Sequence, residues 1–129
     1  MTAAFVLVGA LSVYWPGDGH CGPVLACGAP FTPSSHHIAI RPWRGRCGAR
    51  ARVCSAATGR CVWTTVQDSG PWGLQCGPRW RVSTRRLVPP GCRRRAVVDL
   101  TRPVWRDLGS PPFLSRVTIT IYPRRPEVT

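Results

Sequence analysis

Along this 129-residue chain the clearest signal is a two-residue alternation of apolar and polar positions. In Val62-Trp63-Thr64-Thr65-Val66-Gln67 the β-branched Val62, Thr64 and Val66 share one face, the period of a half-buried strand. Val117, Ile119 and Ile121 alternate with Thr118, Thr120 and Tyr122 near the C-terminus, and Arg50–Cys54 alternates arginine with small apolar residues. Ile38–Ile40 reads as a short apolar strand, and an opening strand is expected near Val13–Trp15. Helix signals gather once. Thr101 is placed to cap, Pro103 suits a first turn, Val104 and Leu108 fall on one face, and Gly109 can terminate the helix. Residues 72–95 lack such a pattern and read as loop, and Pro123–Thr129 as a frayed tail. Many short strands with one helix predict an all-β barrel or sandwich, and the length suits a single domain.

The strand over Cys61–Gln67 delivers Asp68 to a surface. Ser69-Gly70-Pro71 then breaks the ladder, because proline cannot donate to it and glycine tolerates turn dihedrals that other residues avoid. A carboxylate at a strand end beside a turn is a common site position.

Charge and cysteines narrow the setting. The chain carries 18 Lys+Arg against 5 Asp+Glu, a formal charge of +13, and every cation is arginine. Such a surface attracts anionic polymers at low salt. Nucleic acid is the weaker candidate, since aromatic-interleaved RNA motifs and a DNA-reading helix are both missing. The 7 cysteines form no paired C-x-x-C arrangement, so disulfides and an oxidising compartment are expected. Cys54 and Cys61 flank a hairpin tip and can close it if they face each other, Cys76 and Cys92 bracket the arginine-rich excursion, and an odd count leaves one thiol free or paired outside the chain. A metal site from His20, Cys21, Cys27, His36 and His37 matches no recognised spacing, so neither metal nor other cofactor is expected. Ala3–Leu11 is an apolar run the size of a signal-peptide core, too short to span a bilayer and lacking a basic flank. It reads first as a degenerate export signal, with an apolar lead-in packed beside the first strand as the alternative. No other segment is suited to crossing a membrane.

Four segments, in order, carry a family resemblance: SVYWPG at Ser12–Gly17, ACGAPFTPS at Ala26–Ser34, RCGARARV at Arg46–Val53, and the strand with its D-x-G-P turn at Asp68 followed by Asp99-Leu100 and a short helix. Together they resemble the RlpA-like (rare lipoprotein A-like) proteins, relatives of expansins and barwin. The resemblance implies a six-stranded double-psi β-barrel with one short helix, stapled by disulfides, over residues 12–122. Residues 72–95 would be an arginine-rich insertion, 1–11 the leader or lead-in, and 123–129 the tail. It also implies a Cys27–Cys47 bridge; with Cys54–Cys61 and Cys76–Cys92 as the pairs that their spacing offers, Cys21 is left over as a candidate intermolecular thiol.

Catalytic members of that family are lytic transglycosylases, in which the D-x-G-P aspartate works with a histidine on the glycan of peptidoglycan. Asp68 matches that aspartate. Asp99 matches a second one expected to be structural, satisfying backbone donors near the helix start. The histidine is where the sequence departs: the simplest register places Ile40 at its position, and a shifted register brings in His37, so both assignments stay open. Asp18 and Asp107 read as solvated acids. Six tryptophans offer faces for stacking on sugar rings. Trp72 is the first platform candidate, Trp43 the second and Gly70 the turn residue beside them, while Trp15 and Trp105 are expected in the core. The expected function is an exported, monomeric protein of the cell envelope that binds peptidoglycan or another anionic wall polysaccharide. An active lytic enzyme and a barwin-like protein-binding module are the alternatives.

Overall fold

A computed structural model describes residues 4–19 and 21–124. Nine strands and one helix follow in chain order: β1 Phe5–Tyr14, β2 Ile38–Ala39, β3 Arg50–Ser55, β4 Cys61–Asp68, β5 Gly73–Cys76, β6 Arg79–Val82, β7 Cys92–Arg93, β8 Ala96–Thr101, α1 Arg102–Asp107 and β9 Arg116–Ile121. Six strands close a barrel in the order β1-β8-β2-β4-β3-β9. Two pairings in it, β1 with β8 and β2 with β4, are parallel, and the others are antiparallel. The arrangement is that of a double-psi β-barrel. Its interior is filled as the alternation dictates: Val53, Val66, Val98, Leu100, Val117 and Ile119 are fully buried, and Val104 of the helix and Leu108 at its C-cap join the same core.

Three local findings depart from the sequence reading. The first strand starts at Phe5 and pairs with β9 through Phe5–Ala10 before turning to β8 through Ala10–Tyr14. The apolar run to Leu11 is therefore barrel from Phe5 onward, where its pattern had suggested a leader, and the barrel begins before residue 12. Gly9 sits at this handover, where a Cβ would lie 2.6 Å from Val97 Cγ1. Residues 72–95 are also more ordered than expected. They form a separate three-stranded sheet, β6-β5-β7, instead of a plain loop. Finally, Thr101 occupies the N-cap position without making a side-chain cap; its Oγ1 accepts instead from the His37 N–H at 3.2 Å. Of the expected tail only Pro123 and Arg124 lie within the described residues.

Three disulfides join Cys27–Cys47, Cys54–Cys61 and Cys76–Cys92, and Cys21 is free. The latter two follow from register, since Cys54 faces Cys61 across β3/β4 and Cys76 faces Cys92 across β5/β7. Among the described residues no helix is long and apolar enough to cross a membrane.

Candidate functional site

Strand pairing brings two aspartates to either side of one short strand. Ala39 of β2 is the register partner of Asp68 at the end of β4 and of Asp99 within β8. Ile38 and Leu100, one residue on, point into the core, so the period of two aims Ala39 and Asp99 at the barrel's outer face. Gly70 then matters for space. Its φ of +153° suits glycine, and a Cβ there would stand 3.0 Å from Asp99 Oδ2.

Asp68 is held from two directions. Its Oδ1 accepts the Ala26 N–H at 2.8 Å, and its Oδ2 accepts the Tyr14 hydroxyl at 3.0 Å. The Ala26 contact depends on the loop being pinned, by the Cys27–Cys47 bridge and by the Cys27 N–H donating to Gln67 O at 3.1 Å. The Tyr14 oxygen also lies 2.5 Å from His37 Nε2. A phenol has one proton, so giving it to Asp68 leaves the oxygen to accept from Nε2–H of His37. His37 is 2% exposed, and burial pulls its pKa down to about 4, with Asp68 opposing the shift. It is a neutral imidazole at physiological pH. Burial and the adjoining Asp68 together push the Tyr14 phenol well above its ordinary range.

Asp99 sits in a different environment. Its Oδ1 accepts the Ser12 hydroxyl, Ser12 being its register partner on β1. Among the described residues its carboxyl accepts from no backbone N–H at the helix start, the donors the sequence reading gave it. Burial raises its pKa to about 6; the Ser12 hydrogen bond and Arg41 pull the other way, while Asp68 and Asp18 add to the rise.

Both acids open onto a groove of about 790 Å³ whose walls include Trp15, Trp72, Trp80, Trp105 and Phe113. Trp72 donates its indole N–H to Ser69 Oγ at 2.9 Å, and the Arg94 guanidinium lies 5.1 Å from its ring centre. Trp80 meets Phe113 edge-on at 5.6 Å. Trp15, expected in the core, is 36% exposed and carries Arg102 4.2 Å over its ring. Trp105 packs on the core and also lines the groove. Trp43 goes the other way: it packs against the barrel core under Arg44 and is not part of the groove wall.

The histidine question receives a third answer. Ile40 is fully buried in the barrel core, and His37 reaches Asp68 only through Tyr14, behind the groove wall. His36 bonds Thr64 Oγ1 at 3.0 Å and Asp107 Oδ2 at 2.9 Å, so neither it nor Asp107 is simply solvated. Asp18 lines the groove with Cys21, whose thiol donates to it at 3.4 Å; burial and that carboxylate push the thiol up to about 12, leaving it a poor nucleophile. Among the described residues no cluster of three metal-ligating side chains occurs, and His20 of the metal reading lies outside them. Ser12 and Tyr14 escaped the sequence reading. Their signal was present, two polar-tipped residues two apart on a strand.

No protein-family model and no curated protein matches the chain. Solved structures do. The crystal structure of apo-Clavibacter michiganensis expansin superposes with a TM-score of 0.52 and 20% identity, covering 97% of this chain and 53% of that one. A point mutant of the same expansin in complex with cellohexaose gives a TM-score of 0.49 and 16% identity over the same 97% and 53%. This chain thus spans about half the length of the expansin it matches, and what it shares with the apo structure is the fold, a closed six-stranded double-psi β-barrel.

Proposed function

We propose that this chain is a glycan-binding double-psi β-barrel of the cell envelope, taking a strand of peptidoglycan along its tryptophan-lined groove. The observation that carries the reading is the groove itself, where Trp72, Trp80 and Trp15 flank three aspartates. Indole faces suit the apolar faces of sugar rings, and carboxyl groups suit their hydroxyls. The likeness of its motifs to RlpA-like proteins and the net charge of +13 favour an anionic wall polymer over a neutral one. Three disulfides favour an exported protein. Binding, not cleavage, is the primary role, because His37 is walled off behind Tyr14 and offers no second catalytic group at a sugar linkage. Co-sedimentation with purified sacculi tests this. Wild type should pellet with the sacculi and release no anhydro-muropeptides, and Trp72→Ala should weaken pelleting severalfold. Absence of binding to sacculi, or wild-type binding in Trp72→Ala, would overturn the reading.

One observation favours a second reading, a lytic enzyme with Asp99 as its acid. A carboxyl with a pKa of about 6 keeps a minor protonated fraction near neutral pH that can serve as general acid. In that case wild type releases anhydro-muropeptides, Asp99→Asn abolishes the release, and both proteins still bind sacculi.

A further inference from the structure

The sheet formed by residues 72–95 is the most polarised region of the chain. It holds 7 of the 18 arginines and no acidic residue. Two of the seven are structural. Arg94 donates to Ser83 O and Arg85 O, each at 2.8 Å, and Arg95 donates to Gln75 Oε1 at 2.6 Å. The other five, Arg79, Arg81, Arg85, Arg86 and Arg93, are exposed. Among the described residues their guanidinium groups make no hydrogen bond or ion pair. Their mutual repulsion is held in place covalently, by the Cys76–Cys92 bridge across β5 and β7.

This array adjoins the groove. Trp80 lies over Gly73, where a Cβ would meet its ring at 3.0 Å, and its edge-on contact with Phe113 ties β6 to the groove wall. Arg81, next along β6, is itself a wall residue. A polymer strand leaving the groove at this end runs onto arginines. The groove centre is the electrostatic opposite, with Asp18, Asp68 and Asp99 all facing it. A chain bearing a phosphate on every residue would be repelled there. A chain with neutral sugars in the groove and anions spaced further along satisfies both regions.

We propose that residues 72–95 form an anion-binding arm which selects polysaccharides bearing recurring carboxylate or phosphodiester groups. The inference rests on the groove reading above and adds the chemistry of the ligand. Equilibrium binding should be compared for polygalacturonate methyl-esterified on most of its residues, for sacculi carrying poly(glycerol phosphate), for the same sacculi stripped of it, for cellohexaose and for duplex DNA, at low and high salt. Arg79→Gln with Arg93→Gln should weaken binding to the polyanionic glycans roughly tenfold at low salt and leave cellohexaose unchanged. Preference for polygalacturonate or for phosphate-bearing sacculi then names the anion. Arg52→Gln with Arg116→Gln removes the same charge from β3 and β9, away from the groove, and should change nothing. Equal losses in the two double variants would mean diffuse charge and would overturn the arm. So would DNA binding that matches the glycans and falls with them, which would mark a nucleic-acid surface. Losses with Trp72→Ala but none with the arginine variant defeat the arm and leave the groove. Losses with the arginine variant but none with Trp72→Ala defeat the groove reading and leave an anion site alone.

Discussion

Asp68 and Asp99 stand on opposite sides of Ala39, yet they occupy opposite chemical worlds. Asp68 ends a strand, stays partly open to solvent, and receives a backbone N–H and a phenol. Asp99 lies within its strand, half-buried at the groove like Asp68, but with one serine hydroxyl as its donor and a pKa raised to about 6 by desolvation. Strand register fixes where a carboxyl is placed; its neighbours fix which donors it meets. On the Asp68 side there is a further buried group of opposite sign in its pH response, His37, whose pKa falls to about 4.

The largest expected effects come from setting these two titrations apart. Asp99 rises from an ordinary 3.8 to about 6, so its contribution to stability is full below 3.8 and lost as pH rises through 6. His37 falls from 6.5 to about 4, so its contribution is present above 6.5 and lost as pH drops through 4. Each amounts to about 3 kcal/mol. Opposed in sign and overlapping in range, they leave the wild type with a nearly flat stability between pH 4 and 6.5. Asp99→Asn should stabilise the protein at pH 7 by up to about 3 kcal/mol and expose a steep loss on acidification. Urea unfolding at the two ends of that range measures this. A variant less stable than wild type at neutral pH would mean that Asp99 is a well-paired anion.

Tyr14→Phe comes next. It deprives Asp68 of a hydroxyl donor and leaves Nε2–H of His37 without its acceptor in a buried place, for a cost of about 2 kcal/mol. It should leave the Asp99 titration close to where it was. A cost below about 0.5 kcal/mol would show that water replaces the hydroxyl and that the Tyr14 chain carries little.

The barrel was legible in the sequence where one face is dry. Alternation in Cys61–Gln67 and Val117–Ile121 survives in the structure because a one-residue slip would turn valines and isoleucines to solvent. The strand at Phe5 was harder to read because Val6 and Val8, on its outward face, are apolar as well, and an unbroken apolar run does not distinguish a strand from a leader. The sheet in residues 72–95 was illegible for the opposite reason. All four residues of β6 are exposed, so burial imposed no alternation, and backbone pairing and the Cys76–Cys92 bridge define it instead. At the site, Asp68 and Trp72 could be read from the turn beside them. Ser12, Trp15 and Trp80 join it through register and through contacts distant in sequence, which local pattern does not report.

The smallest effect isolates the hydroxyl that restrains Asp99. The Ser12 hydrogen bond lowers a pKa that burial raises, so Ser12→Ala should move the Asp99 titration above 6 without moving that of His37. The stability cost follows the proton. At pH 7 the ionised carboxylate loses its donor, at about 1 kcal/mol. At pH 4 the carboxyl is protonated in both proteins and the cost should shrink toward that of a small cavity. Carboxyl carbon chemical shifts followed through the titration, with the imidazole shifts of His37 as an internal reference, separate the two acids directly. If the His37 transition moved with that of Asp99, the two clusters flanking β2 would be one coupled network, and the contrast between them would reduce to a difference in desolvation alone.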